Sequence, residues 1–405
     1  MRNIYILLLC LFTFIFIYTP PLHFIPVQID LFIYAITFYL VLSQRINILG
    51  FLGTPGLNKS FHCNLVLLSY SILLTLFIPP NIGLMDLNPV KIVRLLIEVF
   101  GIPYVIICVY FKKGLSRKKI IDVLLWMAII QSYIAILMIF VPSVKSFVTT
   151  SILRFDTANK LSFQSLLDER VFGIGSEYLF GLPIFQAMMA CVYINVTKEK
   201  RFFFLFNLLC LIGSAIFCAR SSLFVFLCYF LYYFVNRFKT HVVSSILMMG
   251  LISGFVYSVY IYLINIEGVI AIEHFNRAFN GRYQGYDSLF DTMLFFPTDL
   301  LTWLFGNGSY VFFDKKRASD LGYVNDIFYG GVFYLSLEIL ALYYLYKESK
   351  KADYLYSVLP LLFLSLLVLN YKGSVYSAKD YMKGIMLLYY TVVLKYQTKD
   401  IKYLA

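Results

Sequence analysis

Charged residues are scarce in this chain, and the motifs that bind nucleotides or catalytic metals are missing from it. Asp, Glu, Lys and Arg make up 14% of the 405 residues, whereas about a quarter is usual for a soluble globular protein. The sequence contains no Walker loop, no HExxH or GxSxG motif, and no DxD-type carboxylate cluster for a nucleotide-sugar and its metal. These absences argue against a cytosolic ATPase and against a nucleotide-sugar transferase.

Paired cysteines are also missing. The seven Cys residues form no CxxC motif and no Cys/His cluster, so the sequence predicts neither a structural zinc site nor a disulfide framework. Most of them lie inside apolar runs, as small core or lipid-facing residues do. They are Cys10, Cys63, Cys108, Cys191, Cys210, Cys218 and Cys228.

Hydrophobic residues make up 60% of the sequence and fall into long runs. Runs of roughly 15 to 22 apolar residues suit helices that cross a hydrocarbon core of about 30 Å. Tyr residues cluster near the run ends, where aromatic side chains meet the membrane interface. The pattern predicts an all-α, polytopic integral membrane protein with about twelve transmembrane helices, the first of them uncleaved. The predicted spans are 4–18, 28–43, 65–78, 92–111, 120–141, 178–196, 202–218, 222–236, 243–264, 324–346, 354–370 and 383–396.

Lys and Arg concentrate in alternate connections between these spans. This one-sided distribution, rather than nucleic-acid binding, explains the net charge of +12, and the positive-inside rule makes that side cytoplasmic. Both termini are then cytoplasmic. The two long connections, 142–177 and 265–323, are then on the outer side of the membrane, the second lying between helices 9 and 10. No repeat or linker divides the chain, so 1–405 is predicted to be a single integral membrane domain.

Three Arg residues stand out on the predicted outer side. Arg220 separates two apolar runs, and a charged side chain at the membrane boundary is costly unless it snorkels or meets an anion. Arg277 and Arg282, five residues apart, can face the same way on a short surface helix. Guanidinium groups bind phosphate oxygens through paired hydrogen bonds, so these residues are candidates for an anion site. The alternative is that Arg220 only sets topology, while the other two contact solvent and lipid headgroups.

Two carboxylates are candidates for acid/base chemistry. Glu177, seven residues after Arg170, opens the predicted sixth span, where burial could raise its pKa into the range of a base. Asp320 lies just before a helix predicted to start near Val324. Each could instead cap its helix, and Asp326, expected in the first turn of that helix, has the same alternative.

Some charges fall inside predicted spans in the first part of the chain. Asp30 lies in the second, and Arg94 and Glu98 lie in the fourth. Because Arg94 and Glu98 are four residues apart on one helix, they are expected to neutralise each other. That pairing accounts for them without a proton pathway.

Several features together resemble the bacterial O-antigen polymerase (Wzy) family, which is related to the O-antigen ligases. About twelve spans are present, and a small-Arg-Ser turn, 219–221, follows a middle span. The large external loop ends in a GlyAsnGly stretch, 306–308, and then SerAspLeuGlyTyr, 319–323. That stretch enters a helix with a GlyGly pair, 330–331, and the ArgValPheGlyIleGlySerGlu piece, 170–177, also looks like this family's.

The resemblance implies a metal-independent glycosyltransferase without a cofactor, in a bacterial inner membrane. It would transfer a growing glycan from undecaprenyl pyrophosphate to an incoming lipid-linked repeat unit at the periplasmic face. The loops 142–177 and 265–323 would be periplasmic and would form the active site. Its partners would be the undecaprenyl-pyrophosphate-linked oligosaccharide and the lipid bilayer, with a chain-length regulator protein as a further candidate. The implied catalytic base is Glu177 or Asp320, and the implied pyrophosphate ligands are Arg170, Arg220, Arg277 and Arg282.

Two alternatives stay open. An O-antigen ligase shares the mechanism, but ligases usually carry His near the position of Asp320, so Asp there favours a polymerase. A flippase for the same lipid-linked sugar should have charged residues in a central cavity, short outer loops and often repeat symmetry.

Overall fold

A computed structural model of the chain is built almost entirely of α-helices. Within the described residues, the one extended pairing is an isolated antiparallel bridge between Leu22 and Leu153. The structure describes residues 2–22, 29–77, 88–153, 173–175, 181–197, 202–218, 222–238, 294–309, 311, 319, 321–351, 355, 358–371 and 380–394.

The helices follow one another along the chain with short turns between many of them. A 3-10 turn, Ile48–Gly53, and two π-helical turns, Leu96–Gly101 and Val148–Ile152, adjoin them. The helices are α1 (Arg2–Tyr18), α2 (Ile29–Ser43), α3 (Pro55–Phe77), α4 (Asn88–Leu95), α5 (Ile102–Lys112), α6 (Arg117–Phe140), α7 (Pro142–Phe147), α8 (Gly181–Val196), α9 (Phe202–Cys218), α10 (Ser222–Phe238), α11 (Leu300–Phe305), α12 (Gly322–Ser349), α13 (Val358–Leu369) and α14 (Asp380–Val393).

The predicted all-α class is confirmed, and helices lie where most of the spans were predicted. The predicted ninth span, 243–264, lies outside the described residues. In the described part of the chain, four helical stretches are long and apolar enough to cross a membrane, namely α3, Pro89–Lys112, α6 and α12, and the other apolar helices there are shorter. The twelve-span topology and the periplasmic side of the large loop stay predictions.

A proline explains the π-helical turn between α4 and α5. Pro103 stands at the start of α5 and has no N–H, so the carbonyl of Val99 cannot receive the usual bond from four residues ahead. The bonding shifts to the wider π spacing, with Ile102 N donating to Ile97 O. Glu98, within this turn, is buried.

The chain packs as two compact units. Unit 1 contains Met1–Thr19, Val27–Met127 and Leu289–Ala405, and unit 2 contains Pro20–Pro26 and Ala128–Ser288. In unit 1, α12 packs against α3, α11 and α13, and α14 packs against α5. In unit 2, α9 and α10 both pack on α8.

Polar side chains join the helices of unit 2. The Oγ atoms of Ser132 and Ser214 are 2.9 Å apart, and Ser132 Oγ also donates to Gln186 Oε1 at 3.3 Å. Asn207 Nδ2 donates to the Tyr193 hydroxyl at 3.1 Å. Small and amide side chains of this kind are typical contacts between helices in a membrane.

Large apolar side chains face outward on the helices. Leu76 and Phe77 are 72% and 79% exposed, and Phe202 and Phe203 are 77% and 75% exposed. Soluble monomers rarely expose wide apolar surface, so these faces suit a lipid environment. Each of the seven cysteines is buried or half-buried.

Candidate functional site

The six residues predicted to carry the chemistry lie outside the described residues. The immediate chain neighbours of Asp320 are described on both sides, and so are residues 173–175 between Arg170 and Glu177. The six are Arg170, Glu177, Arg220, Arg277, Arg282 and Asp320.

Gly173 and Ile174, between Arg170 and Glu177, contact α6 inside unit 2. Ile174 N donates to Gln131 Oε1 at 3.1 Å. Gly173 has a φ of +58°, and a Cβ there would lie 2.7 Å from Gln131 Nε2. Glycine meets both requirements, since it adopts positive φ without steric cost. This part of the motif therefore has a defined place against Gln131.

The neighbours of Asp320 are anchored in unit 1. Ser319 and Leu321 are buried, and Ser319 N donates to Val311 O at 3.2 Å. Asn325 Nδ2 donates to Ser319 O at 2.8 Å and to Leu321 O at 2.9 Å. The backbone on either side of Asp320 is thus held by the first turns of α12.

The residue at which α12 begins decides which side chain can cap the helix, and capping is the alternative role for Asp320. The helix begins at Gly322, two residues before the predicted start, and Leu321 is its N-cap without a side-chain cap hydrogen bond. A capping side chain ordinarily belongs to the N-cap residue itself. Asp320 lies one residue before that position.

A glycine interrupts α12 in its first half. Gly331 has φ 71° and ψ −174°, far from helical values, in a region that is essentially restricted to glycine. A Cβ there would also lie 2.3 Å from the backbone of Leu304. The helix therefore consists of two segments, 322–330 and 331–349, that meet at a sharp bend.

The loop after α11 bonds to the backbone that this bend exposes. Asn307 N donates to Phe328 O at 2.8 Å, and Gly308 N donates to Tyr329 O at 3.0 Å. Gly306 has φ +72°, and a Cβ there would lie 2.2 Å from Tyr329 O. The GlyAsnGly stretch of the loop and the bent part of α12 are therefore in direct backbone contact.

A tyrosine of α3 binds both sides of this contact. The Tyr70 hydroxyl donates to Phe305 O at 2.5 Å and is 3.3 Å from Gly330 O. Its ring packs edge-on against Phe333, with 5.1 Å between centroids. One side chain thus fixes the end of α11 relative to the bend.

Asp326 and Glu338 lie on opposite sides of the bend, and their carboxyl groups interact. In a straight helix twelve residues span about 18 Å, but here the two side chains are in hydrogen-bonding contact. Asp326 is 0% exposed and Glu338 is 3% exposed. Asn370 Nδ2, at the end of α13, donates to Asp326 Oδ2 at 3.0 Å, and the Tyr334 hydroxyl bonds to Glu338.

The prediction that Asp326 lies in the first turn of its helix is wrong. Because α12 starts at Gly322, its first turn contains no acidic residue. Asp326 lies one turn deeper, where it is buried and bonded to Asn370.

A small pocket lies beside Glu338. The Tyr323 hydroxyl, in its lining, donates to Leu367 O at 2.5 Å. Glu338 Oε1 is buried and has no hydrogen-bond partner among the described residues. The pocket is lined by Tyr323, Leu335, Glu338, Ile339, Leu342, Leu366, Leu367 and Asn370.

A second group of charges in unit 1 includes the pair predicted within one helix. Arg94 Nε is 3.2 Å from Glu98 Oε1, which confirms the expected i,i+4 pair. Arg94 also forms an ion pair with Asp30 of α2. The Tyr34 hydroxyl, one turn after Asp30, donates to Glu98.

Lys383 of α14 completes this network. Its Nζ is 3.4 Å from Glu98 Oε2, and both side chains are almost wholly buried, at 2% and 3% exposed. Nζ also lies 5.5 Å from the centroid of the Phe16 ring. The network of Asp30, Arg94, Glu98 and Lys383 therefore contains two cations and two carboxylates.

Sequence reasoning missed Glu338 and Lys383. Glu338 is an acidic residue near the middle of a predicted span, which is by itself a sign of function or pairing in a membrane helix. Lys383 is the first residue of the last predicted span, 383–396, and was given no role. Both are buried.

Within the described ranges, no group of three or more His, Cys, Asp or Glu residues lies close enough to hold a metal ion. No protein-family model, no curated protein and no solved structure matches the chain.

Proposed function

We propose that the chain is a membrane glycosyltransferase that polymerises polyprenyl-pyrophosphate-linked repeat units, as the resemblance to the O-antigen polymerases implies. The observation that carries the proposal is the contact among three of the motif pieces, at 306–308, 319–321 and 328–331. The GlyAsnGly loop bonds to the bend of α12 through Asn307 and Gly308. Ser319 and Leu321, on either side of Asp320, are held by Asn325 of the same helix.

The proposed reaction joins two lipid-linked glycans. A hydroxyl oxygen of the incoming repeat unit attacks the anomeric carbon of the growing glycan, and the bond from that carbon to the pyrophosphate oxygen breaks. The hydroxyl proton passes to Asp320 or Glu177 as general base. The leaving pyrophosphate keeps the bonding electrons, and arginines at 170, 220, 277 and 282 would stabilise its charge.

A strain that lacks the gene tests this function through its lipopolysaccharide ladder. A single-repeat band is the expected result, because repeat units would still be made, exported and ligated. Loss of all glycan from the core would instead indicate a ligase or a flippase. An unchanged ladder would contradict all three functions.

Purified protein in nanodiscs, supplied with lipid-linked repeat units, tests the arginines directly. We expect Ala at Arg220, Arg277 or Arg282 to abolish or severely shorten the polymer, and Lys to rescue poorly, because an ammonium group cannot make the paired contacts of a guanidinium. Lys119→Ala, at an exposed residue of α6, is the control. Full polymer length with Lys at all three positions would reduce them to determinants of charge or topology.

A flippase is the second candidate, and one observation favours it. Asp326 and Glu338 are buried at a helix break, and transporters often place ion sites at broken helices. Lipid-linked repeat units that stay on the cytoplasmic leaflet in the deletion strain would support the flippase. Repeat units that reach the outer leaflet but stay single would support the polymerase.

A further inference from the structure

We propose that the carboxyl groups of Asp326 and Glu338 together hold one exchangeable proton at the bend of α12. The two groups interact within the folded helix, and both are buried. Two ionised carboxylates in contact repel strongly where the dielectric constant is low. A single positive charge between them removes that repulsion, as in other paired carboxyl sites. The inference stands independently of the proposed enzymatic function.

The surroundings of Glu338 favour a proton over a metal cation. Its Oε1 atom has no hydrogen-bond partner among the described residues and belongs to a side chain that lines the pocket. Besides Glu338, the polar residues of that pocket are Tyr323 and Asn370, and the rest of the lining is hydrocarbon. Hard metal ions such as Mg²⁺ and Ca²⁺ take six or more oxygen ligands, whereas a shared proton needs only two.

The other groups that face the pair from α12 and α13 are neutral and can hydrogen-bond. Tyr334 bonds to Glu338, and Asn370 donates to Asp326 at 3.0 Å. Tyr323 is close enough to both carboxyl groups to interact with their charge. These donors orient the two carboxyl groups, and the shared proton lies where the two groups contact each other.

The cations of neighbouring elements have contacts elsewhere. Lys59 of α3 lies over the ring of Tyr344, 5.5 Å from its centroid, toward the far end of α12. Lys383 of α14 is paired with Glu98 at 3.4 Å. On α11, the titratable group is the N-cap Asp299.

The proton also has a mechanical consequence. Asp326 belongs to segment 322–330 and Glu338 to segment 331–349, so the pair links the two halves of α12. Loss of the proton would place two negative charges in contact across the bend. The protonated pair therefore stabilises the bent form of the helix.

Infrared difference spectroscopy of the full chain in nanodiscs tests the proposal, because a protonated carboxyl group has a C=O band that a carboxylate lacks. We expect such a band near neutral pH. Asp326→Asn and Glu338→Gln should each shift it, and the double variant should lose it. Glu348→Gln, on the same helix in an ion pair with Lys351, should leave it unchanged. An absent band in the native protein, or a band that the double variant retains, would overturn the proposal.

Two further measurements test the proposal if the double variant fails to insert into the membrane. Tyr334→Phe removes one hydrogen bond to Glu338 but keeps both carboxyl groups, so the band should shift. Labelling the carboxyl carbon of Asp or Glu with ¹³C in the native chain should move the C=O band to lower frequency. A band that neither change moves contradicts the assignment. Addition of Na⁺ at fixed pH should have no effect, and loss of the band with Na⁺ would show a metal-cation site instead.

Discussion

The described residues of unit 1 include two groups of buried charged side chains, and these groups differ in whether positive and negative charges are equal in number. Around Glu98, two carboxylates meet two cations, Arg94 and Lys383. At the bend of α12, two carboxyl groups meet each other, and their described hydrogen-bond donors, Asn370 and Tyr334, are neutral.

The comparison separates a structural role from a functional one. In a network with equal numbers of positive and negative charges, each charge has a partner of opposite sign, and the ion pairs join the helices that contribute them. The net contribution of such a network to stability is small compared with the cost of removing one partner. A carboxyl pair without that balance requires something further, which we propose is a proton. The network around Glu98 therefore has a structural role in joining helices, whereas for the pair of Asp326 and Glu338 we propose a role in holding a proton.

The largest expected effect comes from destroying the bend that creates the carboxyl pair. Gly331→Ala adds backbone strain of about 1–3 kcal/mol and crowding of similar size. Because the clash is with backbone at 2.3 Å, we expect the upper end of the sum, about 6 kcal/mol. Thermal unfolding in detergent, followed by size-exclusion chromatography, measures it.

The matched control for this substitution is Gly53→Ala. Gly53 has nothing within 4 Å of a built Cβ and no positive φ, so this variant should unfold close to the native temperature. Equal stability of the two variants would mean that the bend does not require glycine.

Unbalancing the charged network should have the next largest effect. Lys383→Met leaves Glu98 with Arg94 as its one described cation, and the loss of one partner from a buried pair costs roughly 3–5 kcal/mol. Lys351→Met breaks an exposed pair with Glu348 at 3.2 Å and should cost at most about 1 kcal/mol. Thermal unfolding compares the two variants.

A double substitution tests whether charge balance is the cause. Glu98→Gln with Lys383→Met removes one charge of each sign and leaves Arg94 paired with Asp30. We expect this variant to recover much of the loss, and the difference from the single variants gives the coupling energy. No recovery would indicate that packing by the Lys383 stem, rather than its charge, is what matters.

The helices and one ion pair could be predicted from the sequence, because both depend on local spacing. Apolar runs of sufficient length predict the long helices, and a separation of four residues predicts the contact of Arg94 and Glu98. These inferences need only the geometry of a single helix.

The carboxyl pair could not be predicted, because it depends on contacts between distant parts of the chain. The Gly330–Gly331 pair was noted as a motif, but the bend also needs the loop at 306–308. With α12 taken as straight and started too late, Asp326 was placed in a capping position. Glu338 then had no visible partner.

A smaller effect in free energy, though a decisive one for function, is expected at Asp320. As the general base, it needs an ionised carboxylate, so Asp320→Asn should lower the polymerisation rate by roughly 10²-fold or more. Protein abundance should stay normal, since Leu321 rather than Asp320 is the N-cap of α12. The measurement is polymer formed from purified components across pH.

Glu177 supplies the matched comparison for Asp320. Glu177→Gln and Glu177→Asp are assayed in parallel, because only one of the two carboxylates needs to be the base. An active Asp320→Asn enzyme with an unchanged pH profile would move the role to Glu177.

The smallest effect on stability is expected at an exposed carboxylate, that of Asp299. It gives a reference for the Glu98 network and for the carboxyl pair, which are buried. Asp299 is the N-cap of α11, and its Oδ1 accepts from Thr302 N at 2.7 Å. These backbone hydrogen bonds lower the pKa of Asp299. Its contribution to stability is therefore present above the pKa of an unfolded Asp, about 3.9, and is lost as pH falls through the lower folded value.

Hydrogen exchange of the peptide that contains α11 measures this contribution. Asp299→Ala should speed exchange at neutral pH because the cap is gone, whereas Asp299→Asn keeps an acceptor and should match the native chain there. In acid, the native peptide should lose protection relative to Asp299→Asn, because a protonated Asp caps poorly. If Asp299→Ala exchanges at the native rate at neutral pH, the cap is not what holds α11 in place. The loop contacts at the bend of α12 would then carry that role.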